Sequence, residues 1–221
     1  MSRGWPVQLS VGSLQLRPLA RADAREWLAV RIANETWLQP WEASLISSEI
    51  VNWSDRHTAA TFRQLFVRQR AQAKAGTAFP FGIFFEGRFA GQITLGEIVR
   101  GALCSGYVGY WLDRDLAGRG IMPIALALVA DHVFREGGLH RIEANIRPDN
   151  RTSLSVVRKV GFAEEGLRRK YLAIDGTWCD HLSFALLVDD YPEGVFAGLM
   201  QRLPGITAGL VSERGSGAGK V

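Results

Sequence analysis

The sequence predicts a single α/β domain built on a mixed, mainly antiparallel sheet with helices packed against it. Segments with strand-like alternation interleave with segments of helical periodicity along most of the chain, which is the order expected of an α/β or α+β domain. Tight turns at Glu86-Gly87 and Asp175-Gly176 join two pairs of strand-like segments into hairpins. A strand, helix and strand from Tyr107 to Ile146 have the order of a right-handed parallel crossover, which predicts one parallel pair within the sheet.

The first third of the chain predicts one strand and two helices. Leu14–Arg17 alternates like a short strand, and Pro18 ends it. An amphipathic pattern from about Asp23 to Asn34 predicts a helix, and a second pattern predicts a helix from about Asp55 to Ala75 that ends at Gly76. The irregular connection between the two helices contains Trp37, Pro40, Trp41 and Trp53. Large aromatic side chains there can cover the core or wall a substrate groove.

The rest of the chain predicts a sheet interrupted by two long helices, followed by a closing helix. We assign residues 1–203 to the domain, and the Gly/Ser-rich residues 204–221 to a flexible tail. In chain order, the predicted elements are the hairpin Phe81–Leu95, the strand Tyr107–Leu112, the helix Ile121–Arg135, the strand Arg141–Ile146, the helix Thr152–Lys159, the strands Ala163–Ala173 and Thr177–Val188, and the helix Pro192–Leu203.

Composition excludes several classes of protein. The 221 residues are 47% hydrophobic and 22% charged, which suffices for one sizeable core. A net charge of +4 is too mild to predict direct binding to nucleic acid, although it suits an anionic ligand. Cys104 and Cys179 lie far apart and the four histidines have no metal-ligand spacing, so we expect free thiols and no metal site. Met1–Leu19 lacks a secretory pattern and no apolar run spans a bilayer, which predicts a cytoplasmic protein without a membrane segment.

A glycine turn follows the strand Tyr107–Leu112 and precedes an apolar helix. Backbone N–H groups at a helix N-terminus and the positive end of the helix dipole favour an anion, so the turn around Gly118 and Gly120 can bind a phosphate. Taken alone, the turn can equally serve only as a bend. Pro123 stands where a dinucleotide fingerprint needs its third glycine, and Gly219-Lys220 ends the chain instead of entering a helix. The sequence therefore predicts neither a Rossmann nor a P-loop nucleotide site.

Three blocks of the sequence form a distinctive set. They are Tyr110–Leu112 with Ala117–Met122; Glu143–Asn145 with Pro148–Asn150, Ser153, Lys159–Phe162 and Glu165-Gly166; and Tyr171–Leu172 with Asp175–Trp178 and Asp180-His181. Together they resemble the GCN5-related N-acetyltransferase (GNAT) family, and within it the RimJ and RimL branch, which acetylates alanine or serine at the N-terminus of ribosomal proteins. The resemblance implies a sheet with a splayed strand, an acetyl-CoA cleft and acetyl-CoA as the co-substrate.

The resemblance also implies which residues contact acetyl-CoA. The amides around Gly118–Met122 suit the pyrophosphate, and the pantetheine arm pairs with Tyr110–Leu112 like an additional strand. Asn150 precedes a helix and is either a helix cap or a donor to the pantetheine. The implied cofactor residues are Tyr110, Trp111, Leu112, Ala117, Gly118, Arg119, Gly120, Ile121, Met122, Asn150, Ser153 and Arg158.

Ser153 is the candidate acid in the reaction. It stands where RimL relatives place a serine that protonates the leaving CoA thiolate, although a serine just after Asn150 can equally cap a helix. Val157 replaces the tyrosine that some N-acetyltransferases use as the acid, which again favours Ser153 or solvent.

The base is where this chain departs from the family. Leu172 stands where RimL relatives carry a glutamate, and Asn145 stands where RimI relatives carry one. Glu143, two residues from Asn145, and Asp180 are candidates to take the proton directly or through water, although each can also be a structural carboxylate. Asn145 can order a water in place of a carboxylate. His181 adjoins Asp180 in the block shared with the RimJ branch.

The resemblance implies direct transfer of acetyl from the thioester to a protein α-amine, with a ribosomal protein as the expected partner. An α-amine has a pKa of about 8 and a lysine amine one of about 10.4, so the α-amine needs less help from a base. Two alternatives stay open: transfer to a small-molecule amine, an antibiotic or a lysine, and a non-catalytic module that binds CoA and a protein. The chain is expected to be a monomer or a homodimer.

Overall fold

The computed structural model describes residues 4–43, 52–207 and 210. Their strands form one sheet in the order β1-β2-β3-β4-β5-β6-β8-β7, in which β5 and β6 are parallel and every other pair is antiparallel. The strands are β1 Leu9–Val11, β2 Leu14–Arg17, β3 Phe79–Phe85, β4 Arg88–Val99, β5 Ser105–Leu112, β6 Arg141–Ile146, β7 Ala163–Ile174 and β8 Thr177–Leu187. The α-helices are α1 Ala24–Ala33, α2 Glu35–Leu38, α3 Trp53–Arg56, α4 Ala59–Ala75, α5 Ile121–Arg135, α6 Arg151–Val160 and α7 Val195–Arg202. The predicted fold class is confirmed.

Helices cover both faces of the sheet and bury two separate apolar clusters. The apolar helix α5 packs with α6 and α7 on one face, where Ile124 and Leu126 are fully buried. On the other face, α1 and α4 bury a smaller cluster that includes Trp27, Phe62 and Phe89. Because the sheet is covered on both faces, a binding site is expected where two strands separate and not on a flat face.

The helix predicted from Asp55 to Ala75 is two helices, so that prediction is wrong in detail. The chain is extended at Thr58, whose hydroxyl accepts a hydrogen bond from the Thr61 N–H at 3.2 Å and so starts α4. Gly76 ends α4 in the left-handed conformation, as predicted, with φ of 73°. The strand β1 was not predicted, because three residues are too short to show alternation.

Part of the predicted tail packs against the domain. The carbonyl of Leu210 accepts hydrogen bonds from the N–H and the hydroxyl of Ser13 at 3.1 and 2.6 Å, and Leu210 is buried. Ile206 contacts the core cluster under α5. Residues 208, 209 and 211–221 lie outside the described residues. Among the helices described, none is both long and apolar enough to cross a membrane.

Candidate active site

The strands β5 and β6 diverge after a short parallel pairing. The register pairs Ser105 with Arg141 and ends at Tyr107 with Glu143, although β5 continues to Leu112. A Cβ placed on Gly109 would meet no atom within 4 Å, so one face of this part of β5 is uncovered. The Asp113 N–H donates to Ala90 of β4 at 2.8 Å. Because backbone groups alternate in direction along a strand, those of Leu112 and Tyr110 point into the opening.

The glycine turn lies at the end of α5 nearest this opening. Gly118 and Gly120 have φ of 80° and 78°, the left-handed conformation that glycine adopts without strain. Gly120 is the N-cap of α5, so the N–H groups of Ile121 and Met122 belong to the unpaired first turn of the helix. Both side chains are buried in the core. The turn therefore presents backbone donors while its apolar side chains fix it in place.

A cavity of about 560 Å³ adjoins the turn and is lined by cations. Arg119 reaches it from the turn, with its guanidinium 4.8 Å from the centre of the Phe85 ring. Lys159 and Arg202 line the other side, from the last turns of α6 and α7. The wall is completed by the segment from Leu203 to Ile206. This volume and charge suit a phosphorylated ligand.

A second cavity of about 780 Å³ shares Lys159, Arg202 and Leu203 with the first. Arg158, which like Arg119 is expected at the cofactor, lines this second cavity and pairs with Glu164 at 3.3 Å. Sequence reasoning missed Lys159 and Arg202. No motif could have indicated them, because α7 comes to α6 only through packing in the folded chain.

A pair of hydroxyl groups joins β5 to the start of α6. The Tyr110 hydroxyl lies 2.9 Å from Ser153 Oγ and 3.2 Å from the Ser153 carbonyl. Burial raises the pKa of Tyr110 well above its usual value, so the group stays protonated. The Asn150 side chain caps α6 by accepting from the Ser153 N–H at 3.0 Å, which confirms the helix-cap interpretation of Asn150. Ser153 contributes its backbone to this cap, and its hydroxyl faces Tyr110.

The two candidate carboxylates both have partners within the protein. Glu143 is buried and accepts from Arg141 at 3.0 Å and from Arg168 at 2.7 Å. Asp180 is exposed and accepts from the Lys170 N–H at 2.7 Å. These contacts favour the structural interpretation of both residues.

Asn145 lies on the diverging half of β6, beside an aromatic residue that the sequence did not indicate as functional. Its amide donates to the Tyr171 hydroxyl at 3.4 Å, and the Tyr171 ring lies edge-on to His181 with centroids 5.6 Å apart. Burial lowers the pKa of His181, whose Nδ1 lies 3.0 Å from the Cys179 carbonyl. A neutral ring with Nδ1 protonated fits both observations.

The described first part of the tryptophan-rich connection, residues 35–43, lies across the open end of the splayed strands. The Trp37 indole donates to the Leu112 carbonyl at 3.1 Å, at the end of β5. Arg147 stacks 5.3 Å from the centre of the Trp41 ring and donates to the Pro40 carbonyl at 3.1 Å. Ala43 forms a bridge with Ile174 of β7. This segment therefore walls the opening from β5 to β7, which agrees with one of the two roles considered for these aromatics.

Trp111 lies on the opposite side of β5 from Tyr110. Its ring contacts Phe89 and the guanidinium of Arg31, at centroid distances of 5.7 and 5.0 Å. Three of the expected cofactor residues lie on β5. The backbone groups of Tyr110 and Leu112 point into the opening. The side chain of Trp111 packs towards α1 and away from the opening. Among the residues described, no group of three or more His, Cys, Asp or Glu could hold a metal ion.

The splayed parallel strands and the glycine turn at the helix end define an N-acetyltransferase of the GNAT type. The chain belongs to the acetyltransferase (GNAT) domain family, which it matches over residues 13–163. The resemblance noted in the sequence is confirmed.

Individual relatives are similar over most of the chain. The probable N-acetyltransferase YjcK of Bacillus subtilis is 36% identical over 180 residues, which cover 80% of this chain and 96% of that protein. The ribosomal protein uS5-alanine N-acetyltransferase of Escherichia coli is 30% identical over 190 residues, which cover 85% and 94%. The structure of Mycobacterium smegmatis RimJ in complex with CoA-disulfide is 38% identical, with a TM-score of 0.84 and coverage of 92% of this chain and 98% of that one.

Proposed function

We propose that this protein transfers the acetyl group of acetyl-CoA to the N-terminal α-amine of a protein, with a ribosomal protein as the acceptor. The observation that carries the proposal is the Tyr110 and Ser153 hydroxyl pair, which lies between the open edge of β5 and the start of α6. The relatives named for uS5 alanine acetylation and for RimJ support the choice of acceptor.

Acetyl-CoA fits the groups that surround the glycine turn. Its pyrophosphate and ribose phosphate carry the negative charge that the α5 N-terminus and three cations favour. Arg119, Lys159 and Arg202 would hold these phosphates. The pantetheine arm is a chain of amides, and the Tyr110 backbone groups face the opening where such a chain can pair. Because the Trp37 indole occupies the Leu112 carbonyl, the strand-like pairing would end there.

The reaction needs an acid at the sulfur atom. The amine nitrogen attacks the thioester carbonyl carbon, the C–N bond forms, and the C–S bond breaks to release a thiolate. The Ser153 hydroxyl would donate its proton to the thiolate. The Tyr110 hydroxyl, which stays protonated, would then donate to Ser153 Oγ. The glycine turn and the Ser153 hydroxyl both lie on the side of β5 that α5 and α6 cover. One bound acetyl-CoA can therefore contact both groups.

A peptide acetylation panel tests the proposal. Peptides beginning with Ala or Ser are incubated with acetyl-CoA and examined by mass spectrometry, and we expect one acetyl group on the α-amine. Matched peptides that carry a blocked N-terminus and an internal lysine, and a set of small amines, serve as controls. Acetylation of a control acceptor without reaction at any free N-terminus would contradict the proposal. Binding of acetyl-CoA by calorimetry without turnover on any amine would instead favour a non-catalytic module.

A further inference from the structure

The face of β6 and β8 at the splayed opening carries two buried polar atoms without hydrogen-bond partners. Within the described part of the chain, Asn145 Oδ1 and Ser183 Oγ are both buried and unpartnered. The two residues are register partners across β6 and β8, so their side chains project from the same face, with Cβ atoms about 5 Å apart. The two atoms do not hydrogen-bond to each other or to another group of the described chain, so both need a further partner.

The strand β7 leaves space on the other side of Ser183. Its register partner there is Gly166, and a Cβ placed on Gly166 would meet no atom within 4 Å. Buried unpaired polar atoms destabilise a fold unless water satisfies them, and a buried water typically makes about three hydrogen bonds. One water molecule is therefore a suitable shared partner for the two polar atoms.

Tyr171 supplies a third polar group. The pairing of β7 with β8 shifts between Arg168 and Leu172, and within this irregularity Tyr171 comes within 3.4 Å of the Asn145 amide. The Tyr171 oxygen accepts from that amide. Burial raises the pKa of Tyr171, so its hydroxyl stays protonated and is available to donate. Asn145, Ser183 and Tyr171 together offer an acceptor and two hydroxyl groups.

Both cationic and anionic groups surround this cluster. Both oxygens of Glu143 accept hydrogen bonds from arginines, and the Arg168 guanidinium lies 5.0 Å from the centre of the Tyr171 ring. The charge of Glu97 on β4 affects the pKa of Tyr171, and the charges of Arg147, Asp149 and Asp180 affect the pKa of His181. His181 has an edge contact with the Tyr171 ring. Among the residues described, no carboxylate is hydrogen-bonded to Asn145.

We propose that Asn145, Ser183 and Tyr171 hold one water molecule that accepts the proton released by the attacking amine. The inference rests on the proposed function. As the C–N bond forms, the nitrogen gives one proton to this water, which passes a proton on to solvent. The thiolate takes one proton from Ser153, which regains it from solvent through Tyr110. One proton is released and one is taken up, so amine and acetyl-CoA give amide and CoA without another reactant. The three residues are positioning residues, because they act through the water.

The pH dependence of kcat/KM tests the proposal with a readout that a purely structural role would not change. For the wild type acting on an Ala-terminated peptide, we expect a single ionisation near a pH of about 8, that of the amine. Asn145→Asp places a carboxylate at the same position with the same shape, and we expect an additional ionisation on the acid side. A wild-type profile that already contains an enzyme carboxylate, or an unchanged profile in Asn145→Asp, would overturn the proposal.

Removal of the Ser183 hydroxyl can be compared with removal of a similar buried hydroxyl outside the cluster. We expect Ser183→Ala to lower kcat by between about 10- and 100-fold, while the KM for acetyl-CoA stays unchanged. Ser105→Ala is the control, because Ser105 Oγ is also buried and unpartnered in the described chain but lies at the closed end of the β5 and β6 pairing. Equal effects of the two substitutions, or no effect of Ser183→Ala, would contradict the proposal.

A high-resolution crystal structure of the free protein separates this inference from the proposed function. We expect a water within hydrogen-bond distance of Asn145 Oδ1 and Ser183 Oγ. If that water is present but no peptide is acetylated, the proposed acceptor is wrong and the water site stands. If peptides are acetylated and the space holds no water, the inference fails alone.

Discussion

The two sides of the splayed strands carry different kinds of polar groups. The cofactor side, which is the side proposed to bind acetyl-CoA, consists of backbone groups at the glycine turn and of long, exposed cations such as Lys159 and Arg202. The opposite side, around Asn145, consists of neutral side chains that are buried or partly buried, and its buried carboxylate Glu143 is neutralised by two arginines. Loss of one exposed cation leaves the other groups of the cofactor side in place. In a buried polar cluster, loss of one member leaves its neighbours without a hydrogen-bond partner. Substitutions should therefore affect the two sides differently.

The largest effect is expected at Gly120. In Gly120→Glu the carboxylate opposes the phosphates, and a Cβ would lie 2.9 Å from both Ile206 Cγ1 and the Ile206 carbonyl oxygen. We expect CoA binding, measured by calorimetry, to weaken by more than about 100-fold, which corresponds to about 2.7 kcal/mol. Gly101→Glu is the control, since Gly101 has a similar φ of 79° with open space around it, in the turn that precedes β5 at the opposite end from Leu112. Unchanged affinity in Gly120→Glu would remove the turn from the site.

The second-largest effect is expected at Ser153, the candidate acid. Ser153→Ala should lower kcat by about 100-fold and leave CoA affinity unchanged. The helix cap is kept in this variant, because Ser153 donates to Asn150 through its backbone N–H. Thr152→Ala, an exposed neighbour in the same turn, is the control. Steady-state kinetics measure this effect. If Ser153→Ala has the same kcat as the wild type, solvent protonates the thiolate.

A smaller effect is expected from a single cation of the cofactor side. Lys159→Ala should weaken CoA binding by about three- to tenfold, and less at high salt, because an exposed charge is screened. Comparison of CoA with dephospho-CoA in the same titration shows whether Lys159 contacts the ribose phosphate. Lys74→Ala at the end of α4 is the control. An equal loss in both variants would indicate only a general effect of net charge.

The smallest effect concerns stability and not the site. Burial lowers the pKa of His57, His132 and His181 in the folded protein, so the unfolded chain binds more protons below a pH of about 6.5. Stability is therefore expected to fall as the pH drops from 7 to about 5.5, since the slope of the free energy of unfolding is positive there. Thermal melts across this range measure the slope. His57→Gln should flatten the dependence of stability on pH.

The backbone of the glycine turn and the start of α5 were predictable from the sequence, because local backbone chemistry determines them. The glycine turn, the start of α5 at Ile121 and the cap at Asn150 follow from neighbouring residues, and all lie where the sequence placed them. Lys159 and Arg202 were not predictable, since the packing of α7 on α6 brings them together.

The opposite side was less accessible to sequence reasoning. The sequence predicts that Asn145 can order a water. That Ser183 and Tyr171 lie beside Asn145 follows only from the strand register of the folded sheet. A shift in the pairing of β7 with β8, between Arg168 and Leu172, moves Tyr171 relative to its neighbours. Such a shift changes which side chains share a face, and no local pattern in the sequence reports it.

The segment that follows α7 links the cavity beside Gly120 to residues near the start of the described chain. Ile206 lies against Gly120, and Leu210 is bound to Ser13 near the start of the described chain. A ligand that fills the cavity beside Ile206 must therefore favour the docked state of this segment, by the same mass action that stabilises any fold on binding. Resistance of the residues after Arg202 to proteolysis should thus rise with CoA concentration, which makes cleavage in this segment a direct measure of cofactor occupancy.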